Sequence, residues 1–260
     1  MKSSPLIRKT TSATNSCSRK PALPSDLQLQ YYEETARNYD NAHLNSGEGH
    51  DLASHLLRAL IDERECCSLL DVGAGTGRTL RMLQAAMPSV RMTGIEPVEG
   101  MRRVGHECGL SQEVLIEGDA TQIAFEDGSF DVVSAFGVLH HVRDPSVVIA
   151  EMLRVAKVGI FISDANRFAQ GGWLAGRLKR CLYHLRLWGL VEYVRTRGKG
   201  FHESAGDGIF YSYSVFDNFE QIRRLCPQIH LFTLKGAGKI PLYDSEQIAL
   251  FALKNVLPGS

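Results

Sequence analysis

The segment that most constrains the fold is LLDVGAGTGR at residues 69–78. A short apolar run leads directly into three alternating glycines, and a helix is predicted immediately after them, over Arg78–Ala86. Glycine permits positive φ and lets a ligand approach the backbone closely. The first N–H groups of the helix lack partners inside it. This arrangement predicts a ligand site at the carboxyl end of a parallel β-strand.

The glycine spacing distinguishes between classes of ligand. Gly73, Gly75 and Gly77 form G-x-G-x-G, whereas the dinucleotide fingerprint is G-x-G-x-x-G. Counting from Gly73, the third position of that fingerprint is Arg78. The acid Asp71 beside the loop suits a ligand with an ammonium and a sulfonium better than one with a pyrophosphate. An NAD- or FAD-dependent oxidoreductase is therefore a less favoured interpretation of this loop.

The rest of the chain alternates between predicted strands and helices, and the strands are apolar on both faces, which favours a parallel sheet covered by helices. We predict an α/β fold, Rossmann-like, with a mostly parallel seven-stranded sheet and helices on both faces. The predicted strands are Ser68–Val72, Val90–Ile95, Glu113–Gly118, Phe130–Phe136, Gly159–Ser163, Ile229–Lys235 and Gln247–Leu253. The other predicted helices are Leu27–Asn38, His50–Asp62, Val98–Cys108, Asp144–Ala156 and Val215–Leu225.

Two stretches depart from this alternation. Residues 165–215 contain no predicted strand and two predicted helices, which indicates a helical cap inserted after the fifth strand. The last two strands flank the loop Gly236–Asp244, which fits a hairpin at the sheet edge. We therefore divide the chain into a tail at residues 1–26 and one domain at 27–260 that carries the variable substrate cap.

Acidic residues follow the strands on either side of the glycine loop. Glu96 ends the second predicted strand, where a carboxylate can accept hydrogen bonds from both hydroxyls of a ribose. Asp119 ends the third strand, in a position to accept a hydrogen bond from an exocyclic amine. With Asp71 these acids share one edge of the sheet, which the requirements of folding alone do not explain.

Together these motifs resemble the class I S-adenosylmethionine-dependent methyltransferases, and most of all the branch that acts on small molecules. The resemblance covers about residues 31–164 and rests on LLDVGAGTGRTL, GIEPVEGM, GDATQIAFEDGSFDVV and FGVLHHVRDP. YYEETARNYD resembles the N-terminal helix that closes over the cofactor in many members. The segment VAKVG at residues 155–159 departs from the family, because it lacks the usual Pro-Gly-Gly turn.

The resemblance implies a cofactor, S-adenosylmethionine, and a set of residues that bind it. Asp71 and Gly73 would lie near the methionine part, with Gly75 and Gly77 in the same loop. Glu96 would bind the ribose. The remaining members of the predicted set are Asp119 and Ala120 beside the adenine, Phe136 beside the cofactor, and Tyr39 in the lid. For Tyr39 and its neighbours Tyr31 and Tyr32, ordinary helix packing is the alternative.

His140 and His141 are the candidate catalytic residues, because they follow the fourth strand where a general base can reach an acceptor. The alternative is that the pair packs the turn at the strand end. We predict no metal site, on the reasoning that adjacent histidines point apart and that no third ligand has a suitable spacing.

Residues 167–199 supply the clue to the acceptor. They hold eight Lys and Arg residues against one acid, Glu192, and they are densely apolar. One interpretation is a substrate-cap helix whose basic side chains face water. The other is an interfacial helix that contacts a membrane surface or an acidic, lipid-like substrate.

Composition sets broader limits. Lys plus Arg equal Asp plus Glu at 29 each, so net charge gives no support to nucleic-acid binding. The six cysteines form no C-x-x-C pair, which favours a reduced, cytoplasmic protein. Residues 1–26 are basic at five positions and rich in Ser and Thr, which fits a disordered tail or, alternatively, an organelle transit peptide.

From the sequence we therefore expect an S-adenosylmethionine-dependent methyltransferase that transfers a methyl group in line to a small or lipid-like acceptor. The main alternative keeps the fold but performs a non-methylating reaction or serves as a binding partner, since fold does not determine function.

Overall fold

One seven-stranded sheet organises the molecule. The computed structural model describes residues 24–44, 48–169, 172–235 and 241–254. The strands are β1 (Ser68–Val72), β2 (Arg91–Ile95), β3 (Leu115–Ile116), β4 (Phe130–Phe136), β5 (Ala156–Ala165), β6 (His202–Ser204), β7 (Gly208–Phe210), β8 (Gln228–Lys235) and β9 (Gln247–Leu253). The α-helices are α1 (Pro24–Leu44), α2 (Glu48–Glu63), α3 (Arg78–Ala86), α4 (Glu99–Glu107), α5 (Pro145–Val155), α6 (Gly172–His184), α7 (Trp188–Arg195), α8 (Phe219–Leu225) and α9 (Pro241–Asp244).

The strand order is β3-β2-β1-β4-β5-β9-β8, and the first five strands are parallel. Strand β9 runs antiparallel to both β5 and β8. This confirms the predicted Rossmann-like α/β sheet, with its closing hairpin at one edge. The order reverses between β1 and β4, and in such sheets the crevice at the carboxyl ends beside that point is where ligands bind.

Helices cover both faces of the sheet. On one face, α5 and α8 pack against Leu70, Val133 and Ile160, all fully buried. On the other, α2 and α3 pack against Leu69 and Phe161, which point the opposite way from their strand neighbours because strand side chains alternate. Burial on both faces explains why β1 and β4 have nearly continuous apolar sequences.

The connection into β5 explains the missing Pro-Gly-Gly turn. Asp144 caps the start of α5, because its side chain accepts a hydrogen bond from Ser146 N–H, and the helix ends at Val155. Strand β5 begins at the next residue, Ala156, so no separate turn intervenes. The strand is therefore longer than predicted, running to Ala165.

The cap after β5 corrects one prediction. Helices α6 and α7 are there as expected, but residues 165–215 also contain strands, because β6 and β7 pair antiparallel. Each has only three residues, too few to show an alternating pattern in the sequence. The helix predicted over Val215–Leu225 begins as a 3₁₀ turn, Val215–Asn218, before α8.

Helix α1 begins at Pro24, inside the range predicted as tail, while residues 1–23 of that tail lie outside the described residues. Among the helices that the structure describes, none is both long and apolar enough to cross a membrane.

Phe161 tests the packing of the sheet. It lies on β5, fully buried, with its ring 5.5 Å from that of Phe136 and 6.4 Å from that of Phe251. We expect Phe161→Ala to lower the free energy of unfolding by about 3–5 kcal/mol, because the lost side chain leaves a cavity. Denaturant unfolding measures this. The control Val147→Ala, at an exposed position of α5, should change little, and equal losses in the two variants would contradict the packing described.

Candidate active site

The glycine loop forms the floor of the site. Gly73 has φ +67° and Gly77 has φ +70°, a region that side-chain-bearing residues rarely occupy. A Cβ on Gly73 would lie 2.6 Å from Val138 Cγ2, and one on Gly77 would collide with Leu110 Cδ1. Gly73 N–H also donates to Ile95 O at 2.9 Å, which ties the loop to β2. Both positions therefore require glycine for conformation and for space.

Glu96, just after β2, holds the loop from the other side. Its carboxylate accepts hydrogen bonds from Gly75 N–H and Val98 N–H, both at 3.0 Å. Burial raises the pKa of Glu96, and these two hydrogen bonds oppose the rise. Each carboxylate oxygen has a second lone pair, so the group can still accept hydrogen bonds from ligand hydroxyls.

Asp71 lies beneath the loop, fully enclosed at the end of β1. Its Oδ1 accepts a hydrogen bond from Ser134 Oγ at 2.7 Å. Burial raises the pKa of Asp71 to about 7, because the hydrogen bond from Ser134 offsets only part of the loss of solvation. A cation bound above this carboxyl would favour its ionised form.

Asp119 is placed differently from the prediction. Strand β3 ends at Ile116, so Asp119 does not end a strand but begins an exposed turn. Its Oδ1 accepts hydrogen bonds from the Thr121 N–H and hydroxyl, at 2.7 and 2.8 Å. Ala120, next to it, packs partly buried against the core. Their contacts with an adenine stay a prediction.

Phe136 and Tyr39 both take part in packing contacts. The ring of Phe136 lies 5.1 Å from that of His50 and 5.5 Å from that of Phe161. Tyr39 belongs to a small cluster on α1 and α4 that includes Ala36, Val98 and Met101. Packing is thus observed for both residues, and a cofactor contact stays a prediction.

Helix α1 lies over the glycine loop and α4. Asp40 accepts hydrogen bonds from the Thr76 hydroxyl at 2.7 Å and from Arg81 at 3.2 Å. Glu33 accepts one from Gly100 N–H, at the start of α4, at 2.6 Å. These contacts place α1 where the resemblance expects the helix that closes over the cofactor.

The two candidate catalytic histidines form one cluster with Asp207, a residue of the β6–β7 turn. The centroids of the His140 and His141 rings are 3.9 Å apart, and each Nε2 lies 3.4 Å from a carboxylate oxygen of Asp207. His140 Nδ1 lies 2.6 Å from Asp164 Oδ1, and the Tyr32 hydroxyl lies 2.8 Å from His141 Nε2.

This geometry corrects the reasoning behind the predicted absence of a metal site. The histidines do not point apart, and a third ligand of suitable chemistry, Asp207, lies beside both. Sequence spacing gave no signal of it, because Asp207 comes from the cap and reaches the cluster only through the β6–β7 hairpin.

The carboxylates around His140 control its charge. Burial by itself lowers the pKa of His140, but Asp164 and Asp207 outweigh that effect and raise it to about 10. Burial by itself raises the pKa of Asp207, but the two histidines outweigh that effect and hold it well below the usual range. These carboxylates therefore favour the protonated form of the His140 imidazole, and its role as a general base stays a prediction.

Helix α1 also contacts the hairpin that carries Asp207. Gln28 Nε2 donates to Asp207 O at 3.2 Å, and Gln28 Oε1 accepts from Ile209 N–H. Tyr31 donates through its hydroxyl to Ala205 O at 3.1 Å. Helix α1, the β6–β7 hairpin and the end of β4 therefore meet at the histidine cluster.

Residues 70–162 match the family model described as "Methyltransferase domain". Demethylmenaquinone methyltransferase of Staphylococcus aureus (strain JH9) is 35% identical over 132 residues, which cover 49% of this chain and 55% of that protein. Both comparisons support the resemblance of this part of the chain to class I S-adenosylmethionine-dependent methyltransferases.

Solved structures support the fold over more of the chain. An S-adenosylmethionine-dependent methyltransferase from Thermotoga maritima superposes with a TM-score of 0.57 at 16% identity, covering 86% of this chain and 99% of that one. Magnesium protoporphyrin IX methyltransferase from Synechocystis PCC 6803, with bound S-adenosylhomocysteine, gives 0.56 at 16% identity, covering 88% and 99%. The chain spans about half the length of the curated relatives that it matches.

The pH dependence of stability tests the burial of the Asp71 carboxyl. Its folded-state pKa of about 7 lies above the ordinary value of 3.8, so its contribution to stability is complete below about pH 4 and is lost as the pH rises to about 7. Asn cannot ionise. The free energy of unfolding of Asp71→Asn, relative to that of wild type, should therefore rise by roughly 1–3 kcal/mol between pH 5 and pH 8. Denaturant unfolding of both proteins at the two pH values, without ligand, measures this. A difference that does not change with pH would contradict the buried carboxyl.

Proposed function

We propose that this protein uses S-adenosylmethionine to methylate a small, apolar acceptor. The observation that carries the proposal is the loop that Gly73, Gly75 and Gly77 form against the buried carboxylate of Glu96. The match of residues 70–162 to the methyltransferase domain supports it. The relatives named above carry the same activity in their names.

The residues around the glycine loop fit this cofactor. Gly75 is open above its Cα, where an added Cβ would come no closer than 3.5 Å to Met101 Cε. Asp71 offers a carboxylate for the ammonium, and Glu96 retains acceptor capacity for the ribose hydroxyls. The cofactor supplies a methyl group that its sulfonium already activates. The protein must then bind both partners, align them and exclude water.

The acceptor should enter between α1 and the cap, because β1 and β2 carry the cofactor loops at their carboxyl ends. The walls there are the histidine cluster and the hairpin β6–β7. Demethylmenaquinone, the compound named for the Staphylococcus aureus relative, is therefore a suitable first acceptor to test. In this proposal His140 and His141 lie beside the acceptor.

The surface of the cap supports a lipid-like acceptor or its membrane. On α6, Leu174 and Leu178 are 73% and 60% exposed, and on α7, Leu190 and Val194 are 63% and 68% exposed. Each pair is spaced four residues apart, so its members share one face of their helix. Arg186, Arg197 and Lys199 are also exposed in this cap. An apolar surface with basic neighbours fits the interface of a membrane that contains anionic lipid.

Glu96 tests the cofactor site. Glu96→Gln removes the charge but keeps the shape, so we expect binding of S-adenosylhomocysteine to weaken by roughly 2–3 kcal/mol, as charge-assisted hydrogen bonds are lost. Calorimetry measures this, and thermal melts confirm that the variant is folded. The control Glu99→Gln, three residues further along and exposed, should bind as wild type does. NADH binding without homocysteine-analogue binding would overturn the cofactor assignment.

Product analysis tests the reaction itself. With an acceptor, the protein should release S-adenosylhomocysteine in a one-to-one ratio with a product that is heavier by one CH₂. Mass spectrometry and a coupled homocysteine assay measure the two. Conversion of the acceptor without release of S-adenosylhomocysteine would favour the alternative, a methyltransferase fold that performs another reaction.

The cap surface gives a separate prediction. The double variant Leu174→Ser, Leu178→Ser should lose most of its co-sedimentation with vesicles of mixed phosphatidylcholine and phosphatidylglycerol, because apolar area no longer enters the interface. Wild-type binding should fall as salt is raised. The matched control is Leu52→Ser, at an exposed leucine of α2. If wild type and double variant sediment equally, the cap surface does not bind lipid.

A further inference from the structure

The histidine cluster has the composition and geometry of a metal site. His140, His141 and Asp207 each offer one ligand atom, and these atoms all lie within 4.8 Å of one another. Both distances from Asp207 to an Nε2 are 3.4 Å. That is longer than a charge-assisted hydrogen bond of about 2.7–2.9 Å. It matches the roughly 3.4 Å edge of a tetrahedron whose ligands lie about 2.1 Å from a central zinc.

The partners of the other ring nitrogens point to the same conclusion. His140 Nδ1 is paired with the Asp164 carboxylate at 2.6 Å, and His141 Nδ1 lies 2.7 Å from the backbone oxygen of Ile209. Metal-binding histidines usually donate their second ring N–H to a carboxylate or a backbone carbonyl, which orients the ring and determines the tautomer. Here both rings have such a partner, and both turn Nε2 toward Asp207.

We propose that His140, His141 and Asp207 bind one divalent transition-metal ion. Two imidazoles and one carboxylate suit zinc and its neighbours in the first row better than magnesium or calcium, which prefer oxygen ligands. Binding requires His140 Nε2 to release its proton, as it does for any imidazole ligand.

The surroundings leave room for access and for a fourth ligand. The side chains of His140 and His141 are 14% and 10% exposed, whereas that of Asp207 is 40% exposed, so the ion can enter from the side of the turn. The Tyr32 hydroxyl, 2.8 Å from His141 Nε2, can occupy the remaining position, and water can serve equally.

The three ligands come from two parts of the fold, which gives the ion a structural consequence. His140 and His141 follow β4 in the sheet, while Asp207 belongs to the β6–β7 turn of the cap. A bound ion therefore holds the cap against the carboxyl edge of the sheet. This role does not depend on methyl transfer, so it can be tested without cofactor or acceptor.

The experiment is a zinc titration of the untagged full-length protein after chelator treatment and dialysis. Calorimetry should show one Zn²⁺ per chain. Asp207→Asn, in an exposed turn, and His141→Gln should each weaken binding at least about tenfold. The control variants Asp62→Asn and His55→Gln, both exposed on α2, should bind as wild type does. Thermal melts verify that each variant is folded.

A second readout needs no variant. In the Co²⁺-loaded wild-type protein, the two imidazole N–H protons held by Asp164 and by Ile209 O should give two paramagnetically shifted, exchangeable signals in the proton NMR spectrum. Stoichiometric zinc binding that survives both ligand substitutions overturns the proposal. So does the absence of binding at micromolar zinc, or the absence of the shifted signals.

Discussion

The carboxylate of Glu96 is the interaction on which the candidate site depends. It lies only 6% exposed at the end of β2 and accepts the N–H groups of Gly75 and Val98. A buried carboxylate without such partners would cost far more than the fold gains from one side chain. Because the glycine loop supplies one of those N–H groups, the loop and the acid stabilise each other.

Helix α1 links the glycine loop to the cap. Its residues Asp40 and Glu33 bind the glycine loop and the start of α4, while Gln28 and Tyr31 bind the β6–β7 hairpin. One helix thus connects the cofactor side of the domain to the cap.

The cap differs physically from the domain below it. Strands β1, β4, β5 and β9 bury nearly every side chain, whereas α6 and α7 leave several leucines largely exposed. Exposed apolar residues grouped on one surface mark contact sites more often than chance positions. The histidines at the end of β4 lie where these two parts of the molecule meet.

The sequence by itself determined the local elements and the chemistry of the glycine loop. Strand β1 and helix α3 have the bounds that were predicted, because strand burial and glycine spacing are properties of neighbouring residues. The acids Asp71 and Glu96 could be found in the same way, since each stands at the end of a strand. The position of Asp119 could not, because β3 ends sooner than its apolar residues suggest.

Only the tertiary structure decided the surroundings of the histidines. Asp207, Gln28 and Tyr32 reach His140 and His141 from the cap and from α1, and no periodic pattern links residues so far apart in the chain. The strands of the β6–β7 hairpin are likewise too short to be predicted from the sequence, and this hairpin places Asp207 at the sheet edge. The spacing of apolar residues in the sequence indicates which face of a helix or strand is buried. Which distant side chains meet is determined by how the elements pack.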